Sequence, residues 1–123
     1  MADIPAVRAQ LEKSKREEEI VKLAAEQVIR DFERFGLEVK FSGKASEAYE
    51  ELFIQLKEHI EDLLLNNSSR LAGLLYQIDV NQKKTSKMLG NMKASEELTH
   101  LILEREFIKV LTRIYFRDNP AAA

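Results

Sequence analysis

The segment SEELTHLILEREFIKVLTRIYF, residues 95–116, carries the clearest periodicity in the chain. Wrapped at 100° per residue, Leu101, Phe107, Ile108, Val110, Leu111, Ile114 and Tyr115 fall in one broad arc, the spacing of an amphipathic helix and not of a strand. Ser95 stands where an N-cap belongs, and Asp118-Asn119-Pro120 stops the helix just past Tyr115 or Phe116. One apolar stripe is stable only against others, so the rest of the chain must supply partners.

It does so in the same period. Upstream of that segment, Asn81 caps a small helix running through Met88-Leu89 and closed by Gly90-Asn91. Before it, a helix starting at Ser68 or Ser69 lines up Leu71, Leu74, Leu75 and Ile78. A longer one capped by Ser46 carries Tyr49, Leu52, Phe53, Leu56, Ile60, Leu63 and Leu64 to a stop at Asn66-Asn67. The first helix, Ala6 to Phe35, places Val21, Ala24, Ala25, Val28, Phe32 and Phe35 on one face. Gly36 supplies its left-handed end. Between the first two helices, residues 37–41 alternate apolar and polar and read as extended chain, with Ser42-Gly43-Lys44 a turn. The fold class is therefore all-α, a small four- to five-helix bundle with a long N-terminal helix.

Length and composition agree. The 123 residues are 45% hydrophobic and 33% charged, enough for the core of one domain. Four Gly and 2 Pro are too few for a Gly-rich nucleotide loop or a strand-and-turn sandwich. The absence of Cys excludes a disulfide scaffold, a thiolate zinc site and a cysteine nucleophile. No 18-residue apolar run and no secretory leader are read, so a cytoplasmic protein away from membranes is expected.

At 1.5 Å per residue the first helix spans roughly 45 Å, against roughly 31–33 Å for the second and last helices. An overhang follows. The expected organisation is a charged helical arm over 1–19, a bundle over 20–117 and a flexible tail over 118–123. A heptad reading of the arm gives Val7, Leu11, Ser14, Glu18 and Val21, where Ser14 and Glu18 interrupt the seam. Such an arm either grips a second copy or another protein, or stands in solvent.

Charge is distributed unevenly. The net charge is −2, yet residues 1–66 hold 10 basic and 15 acidic side chains, whereas 67–123 hold 9 basic and 6 acidic. Arg105, Lys109, Arg113 and Arg117 recur every four residues on the last helix, either a solvated face whose cations pair with Glu106, Glu104 or acidic residues of a neighbour, or a candidate docking face for an acidic protein, RNA or phosphate. Aromatic residues for base stacking are missing from that face except Phe116, so nucleic acid is the weaker version. Tyr76 falls off the stripe of its own helix, as an interface anchor would.

The chemistry-bearing residues are few. Glu97, His100 and Glu104 fall within the apolar arc of the last helix, and Glu97-x-x-His100 has the spacing of di-metal bundles. That site needs a second such pair, and His59 is the only other histidine. The metal-dependent alternative is a helical-bundle enzyme or sensor built on Glu97, His100, Glu104 and His59, in its smallest form a single cation on His100, Glu104 and His59. A histidine phosphotransfer domain is disfavoured because carboxylates flank both histidines and would repel a phosphoryl group. No catalytic constellation is present, and the remaining serines suit caps and turns. The reading is a non-enzymatic helical interaction module needing no cofactor, a homo-oligomer or a protein partner. Its candidate residues are Arg105, Lys109, Arg113 and Tyr76.

The stretch LLYQIDV (74–80), the lysine-rich segment after it and LILEREFIKVLTR (101–113) resemble a group of short, uncharacterised bacterial all-helical proteins. The resemblance covers about the second half of the chain. It implies a compact helical domain without a catalytic signature.

Overall fold

The computed structural model describes the chain over residues 4–122, and between residues 4 and 15 it describes few side chains beyond the helical backbone. Helix α1 (Ile4–Glu33) is followed by an extended segment, a single 3-10 turn (Ala45–Glu47), α2 (Ala48–Asn66), α3 (Ser68–Ile78), the one-turn α4 (Gln82–Thr85), a second 3-10 turn (Met92–Ala94) and α5 (Ser95–Asp118). Pro120–Ala122 form a last 3-10 turn. Among the described residues there is no strand, so the all-α bundle holds. None of the described helices is long and apolar enough to cross a membrane.

The ends of these helices differ from expectation in an instructive way. Ser46, Ser68, Ser69 and Ser95 cap nothing. Ser46 lies in the 3-10 turn, and α2 begins at Ala48 without a side-chain cap. Asparagines do the capping, Asn81 as its position in the sequence implies and Asn67 and Asn91 in place of the serines. Asn67 Oδ1 accepts from the Arg70 amide at 3.1 Å, Asn81 from Lys83 at 2.9 Å and Asn91 from Lys93 at 3.0 Å. Ser95 is one residue inside α5, where its hydroxyl donates to Glu61 of α2 at 3.3 Å. The helix read as running to Leu89 is one turn at Gln82–Thr85, followed by further turns.

Gly36 ends α1 as its position requires. Its φ is +70°, and the Leu37 amide reaches back to the Phe32 carbonyl at 3.0 Å. Asp79 does the same for α3 at φ +69°, a conformation that Asp tolerates better than most side chains.

The core is one contiguous cluster. Ala25, Val28 and Phe32 of α1 join Leu52, Leu56, Ile60 and Leu63 of α2, Leu71, Leu74, Leu75 and Ile78 of α3, and Leu98, Ile102 and Leu103 of α5. Each fully buried Leu, Ile or Phe contributes roughly 1.5–3 kcal/mol, which outweighs any exposed ion pair.

The 37–41 segment is extended without a neighbouring strand, and α2 stands in for one. Gln55 Oε1 accepts from the Lys40 amide at 2.8 Å, and its Nε2 donates to the Lys40 carbonyl at 2.7 Å. Glu51 takes the Ser42 amide and hydroxyl at 2.6 and 2.7 Å, and His59 Nε2 donates to the Glu38 carbonyl at 2.7 Å. The alternation then turns Val39 into the core, with Leu37 and Phe41 packed on it.

Helix α5 runs antiparallel to both of its long neighbours. Against α2, Ser95 meets Glu61 and His100 meets Tyr49. Against α1, Lys109 meets Asp31, Arg113 meets Gln27 and Arg117 meets Glu19. Helix α2 therefore starts near His100 of α5, while α1 accompanies α5 to its last turn. From Glu18 back to Ile4, α1 continues beyond that contact by roughly 22 Å. The heptad positions Val7, Leu11 and Ser14 lie outside the described side chains.

Candidate interaction surface

The basic row of α5 makes contacts within its own chain. All four side chains are engaged within the chain, chiefly by α1. Arg105 pairs with Asp79 at 2.9 Å, and Lys109 lies 2.6 Å from Glu106 and 3.2 Å from Asp31. Arg113 donates to Gln27 Oε1 at 2.6 Å, and Arg117 pairs with Glu19 at 2.6 Å and Asp118 at 3.0 Å. The four-residue spacing drifts around the helix, carrying these cations from the flank near Arg105 to the seam with α1.

Below that row lies a carboxylate whose pairing the sequence allows and whose burial it does not show. Glu106 is fully buried, next to Asp31, which is 2% exposed. Burial pushes the Glu106 carboxyl up to about 8, helped by its hydrogen bond to Asp31, so at neutral pH it holds its proton. Burial would also raise Asp31. The hydrogen bonds from Glu106 and Gln27, with the Lys109 ammonium, hold it below the usual carboxylate range. One proton and one ammonium thus make a buried carboxyl pair tolerable. The available signal was the ladder Leu98–Ile102–Glu106–Val110, an unbroken i,i+4 row of buried residues with one carboxylate in it.

The carboxylates expected within the apolar arc, Glu97 and Glu104, are exposed, and so is His100. His100 stacks against the rings of Phe53 and Tyr49, with centroids 4.7 and 6.0 Å away, and its Nδ1 shares a 2.5 Å hydrogen bond with the Tyr49 hydroxyl. Partial burial and the charge of Glu104 raise the Tyr49 phenol. His59 lies elsewhere, bonded to the Glu38 carbonyl and tilted 6.1 Å from the Phe32 ring. Among the described residues no three acidic or histidine side chains come together to hold a metal ion. The cation site on His100, Glu104 and His59 is therefore not assembled. Tyr76 is exposed, as a single side chain near the end of α3.

The surface feature that stands out is apolar. Much of the arc read from the sequence faces solvent: Ile108 is 42% exposed, Leu111 46% and Tyr115 55%. The buried face of α5 is instead Leu98, Ile102, Leu103, Glu106 and Val110. Tyr49, His100, Glu104, Phe107, Ile108 and Leu111 line an open groove of about 600 Å³ where α2 begins and α5 runs on. No family model matches the chain, and neither a curated protein nor a solved structure matches it.

Proposed function

We propose that this chain is a non-enzymatic helical interaction module that self-associates, and that its working surface is the solvent side of the second half of α5. The observation that supports this is the reversal of polarity there. Charged side chains face α1, while Phe107, Ile108, Leu111 and Tyr115 form a ridge exposed beyond the start of α2. A contiguous apolar patch of this kind marks an interaction site more often than scattered exposed residues such as Ile54, Leu65 or Tyr76 do. The basic row already spends part of its charge and donors on Asp79, Asp31, Gln27 and Glu19, which weighs against an acidic partner or RNA as its main role.

Sedimentation velocity over a hundredfold concentration range tests the proposal. Mass rises with concentration for the wild type and for Tyr76→Glu, and stays at the monomer for Leu111→Glu. A wild-type chain that is monomeric throughout ends it.

A further inference from the structure

The ridge has a register of its own. Glu104, Ile108, Leu111 and Tyr115 are spaced four, three and four residues apart, the alternating spacing of a two-helix seam, with Phe107 and Ile114 beside it. This seam maps onto itself when read backwards. About a two-fold axis between positions 109 and 110, Ile108 falls opposite Leu111 of a second copy, and Glu104 opposite Tyr115. The lone carboxylate of the seam then meets a phenolic hydroxyl instead of another apolar side chain. Two symmetry-related hydrogen bonds would satisfy it as water leaves. A parallel pairing sets Glu104 against Glu104, where like charges repel.

Area points the same way. Ile108, Leu111 and Tyr115, with Tyr49 on the same groove, are each about half exposed, and partly buried Phe107 adds to them. With large side chains of roughly 150–250 Å², that leaves on the order of 400–500 Å² per copy. Two such faces bury about 1,000 Å², where specific interfaces begin. Among the described residues this side of α5 is bordered by Tyr49, the second residue of α2, and along the flank of Glu104 and Ile108 by the 79–84 segment, which leaves Leu111 and Tyr115 open.

Building on the proposed self-association, we infer that the partner is a second copy of this chain, docked antiparallel along α5 with Ile108 against Leu111 and Glu104 against Tyr115.

The test uses two single-substitution chains, Ile108→Glu and Leu111→Lys, at positions exposed enough for both to fold, as helical circular dichroism verifies. Sedimentation equilibrium is run on the wild type, on each variant and on their equimolar mixture. Each variant alone associates at least tenfold more weakly than the wild type. The mixture recovers at least tenfold over either variant, because only the antiparallel register sets the new carboxylate opposite the new ammonium. A wild-type dimer whose variants do not recover on mixing overturns this register while leaving self-association standing. Wild-type species larger than a dimer also overturn it, since a two-fold seam closes at two copies. A monomeric wild type removes both the inference and the reading beneath it.

Discussion

The two halves of α5 obey opposite rules. From Ser95 to Leu103 the helix buries Leu98, Ile102 and Leu103 and shows Glu96, Glu97 and His100 to solvent. From Glu104 onward it turns Glu106, Lys109 and Arg113 toward α1, and shows Ile108, Leu111 and Tyr115 to solvent. Helix period and composition hardly change between them. What changes is the neighbour: α2 covers the first half and ends its cover near His100, and α1 accompanies the second to its last turn, with Asp79 touching only its start. An amphipathic pattern therefore reports that a face needs covering, and not whether its own chain does so.

The largest effect that separates the halves is the cost of truncation. Ile102→Ala, at a site with no exposure, should lose about 2–5 kcal/mol in urea unfolding. Leu111→Ala, measured at concentrations where the chain is monomeric, should lose less than about 1 kcal/mol, because nearly half of that side chain is already in water. Equal losses at both positions would break the comparison, since they would mean that something covers the ridge within the monomer.

Glu106 gives the next effect, and its sign is set by linkage. Its folded pKa of about 8 lies above an ordinary value of 4.5. The stability associated with its proton is therefore complete below about pH 4.5 and is lost as pH rises to about 8. Asp31 works in the opposite sense, because its depressed pKa adds stability that is lost as pH falls into the acid range. Glu106→Gln keeps a neutral hydrogen-bonding group in place without the ionisation. It should raise stability at pH 8–9 by about 2 kcal/mol, leave pH 5 almost unchanged and flatten the profile between them. Urea midpoints at the two pH values check this. A variant that is less stable than the wild type at pH 9 would show that Glu106 is held there as a paired anion.

This contrast also explains what was legible in the sequence. The helices, the Gly36 stop and the 37–41 extended segment were readable because each rests on local rules of period, cap and alternation. Val39, Leu71 and Ile78 are buried where the pattern placed them. The caps were misread because Ser46, Ser68 and Ser95 were equally plausible neighbours of the residues that hold the helix starts. Asn67 and Asn91 were passed over as helix ends, although each also opens the next turn. The surface was misread for a different reason. Whether Arg113 faces water or Gln27 depends on where α1 lies, and no spacing within α5 encodes that. Glu106 was hidden because a single carboxylate in an apolar row looks like noise until Asp31 and Lys109 are seen beside it.

A smaller effect lies at the junction of the halves, where Arg105 reaches Asp79. Asp79 has two roles there, a carboxylate for Arg105 and a left-handed backbone that ends α3. The carboxylate is 80% exposed, so Asp79→Asn, which keeps the tolerance for positive φ, should shift stability by less than about 0.5 kcal/mol. Asp79→Ala should cost about 1 kcal/mol, because alanine resists φ near +69°. If the two variants are equally destabilised, the ion pair and not the backbone holds the junction.

The smallest effect should come from the last turn, where Arg117 meets Glu19 and Asp118. Short distances there do not imply a strong contribution. The Arg117 and Glu19 side chains are 53% and 42% exposed, so water and salt screen the attraction that draws them together. Arg117→Ala should leave the denaturation midpoint within error at physiological salt and shift it only at low ionic strength. The second half of α5 is then held to α1 by the buried Asp31–Glu106–Lys109 group, and its outermost ion pair only decorates the rim. A clear loss of stability at high salt would reverse that ranking and place the anchor of the α1–α5 pair at its far end.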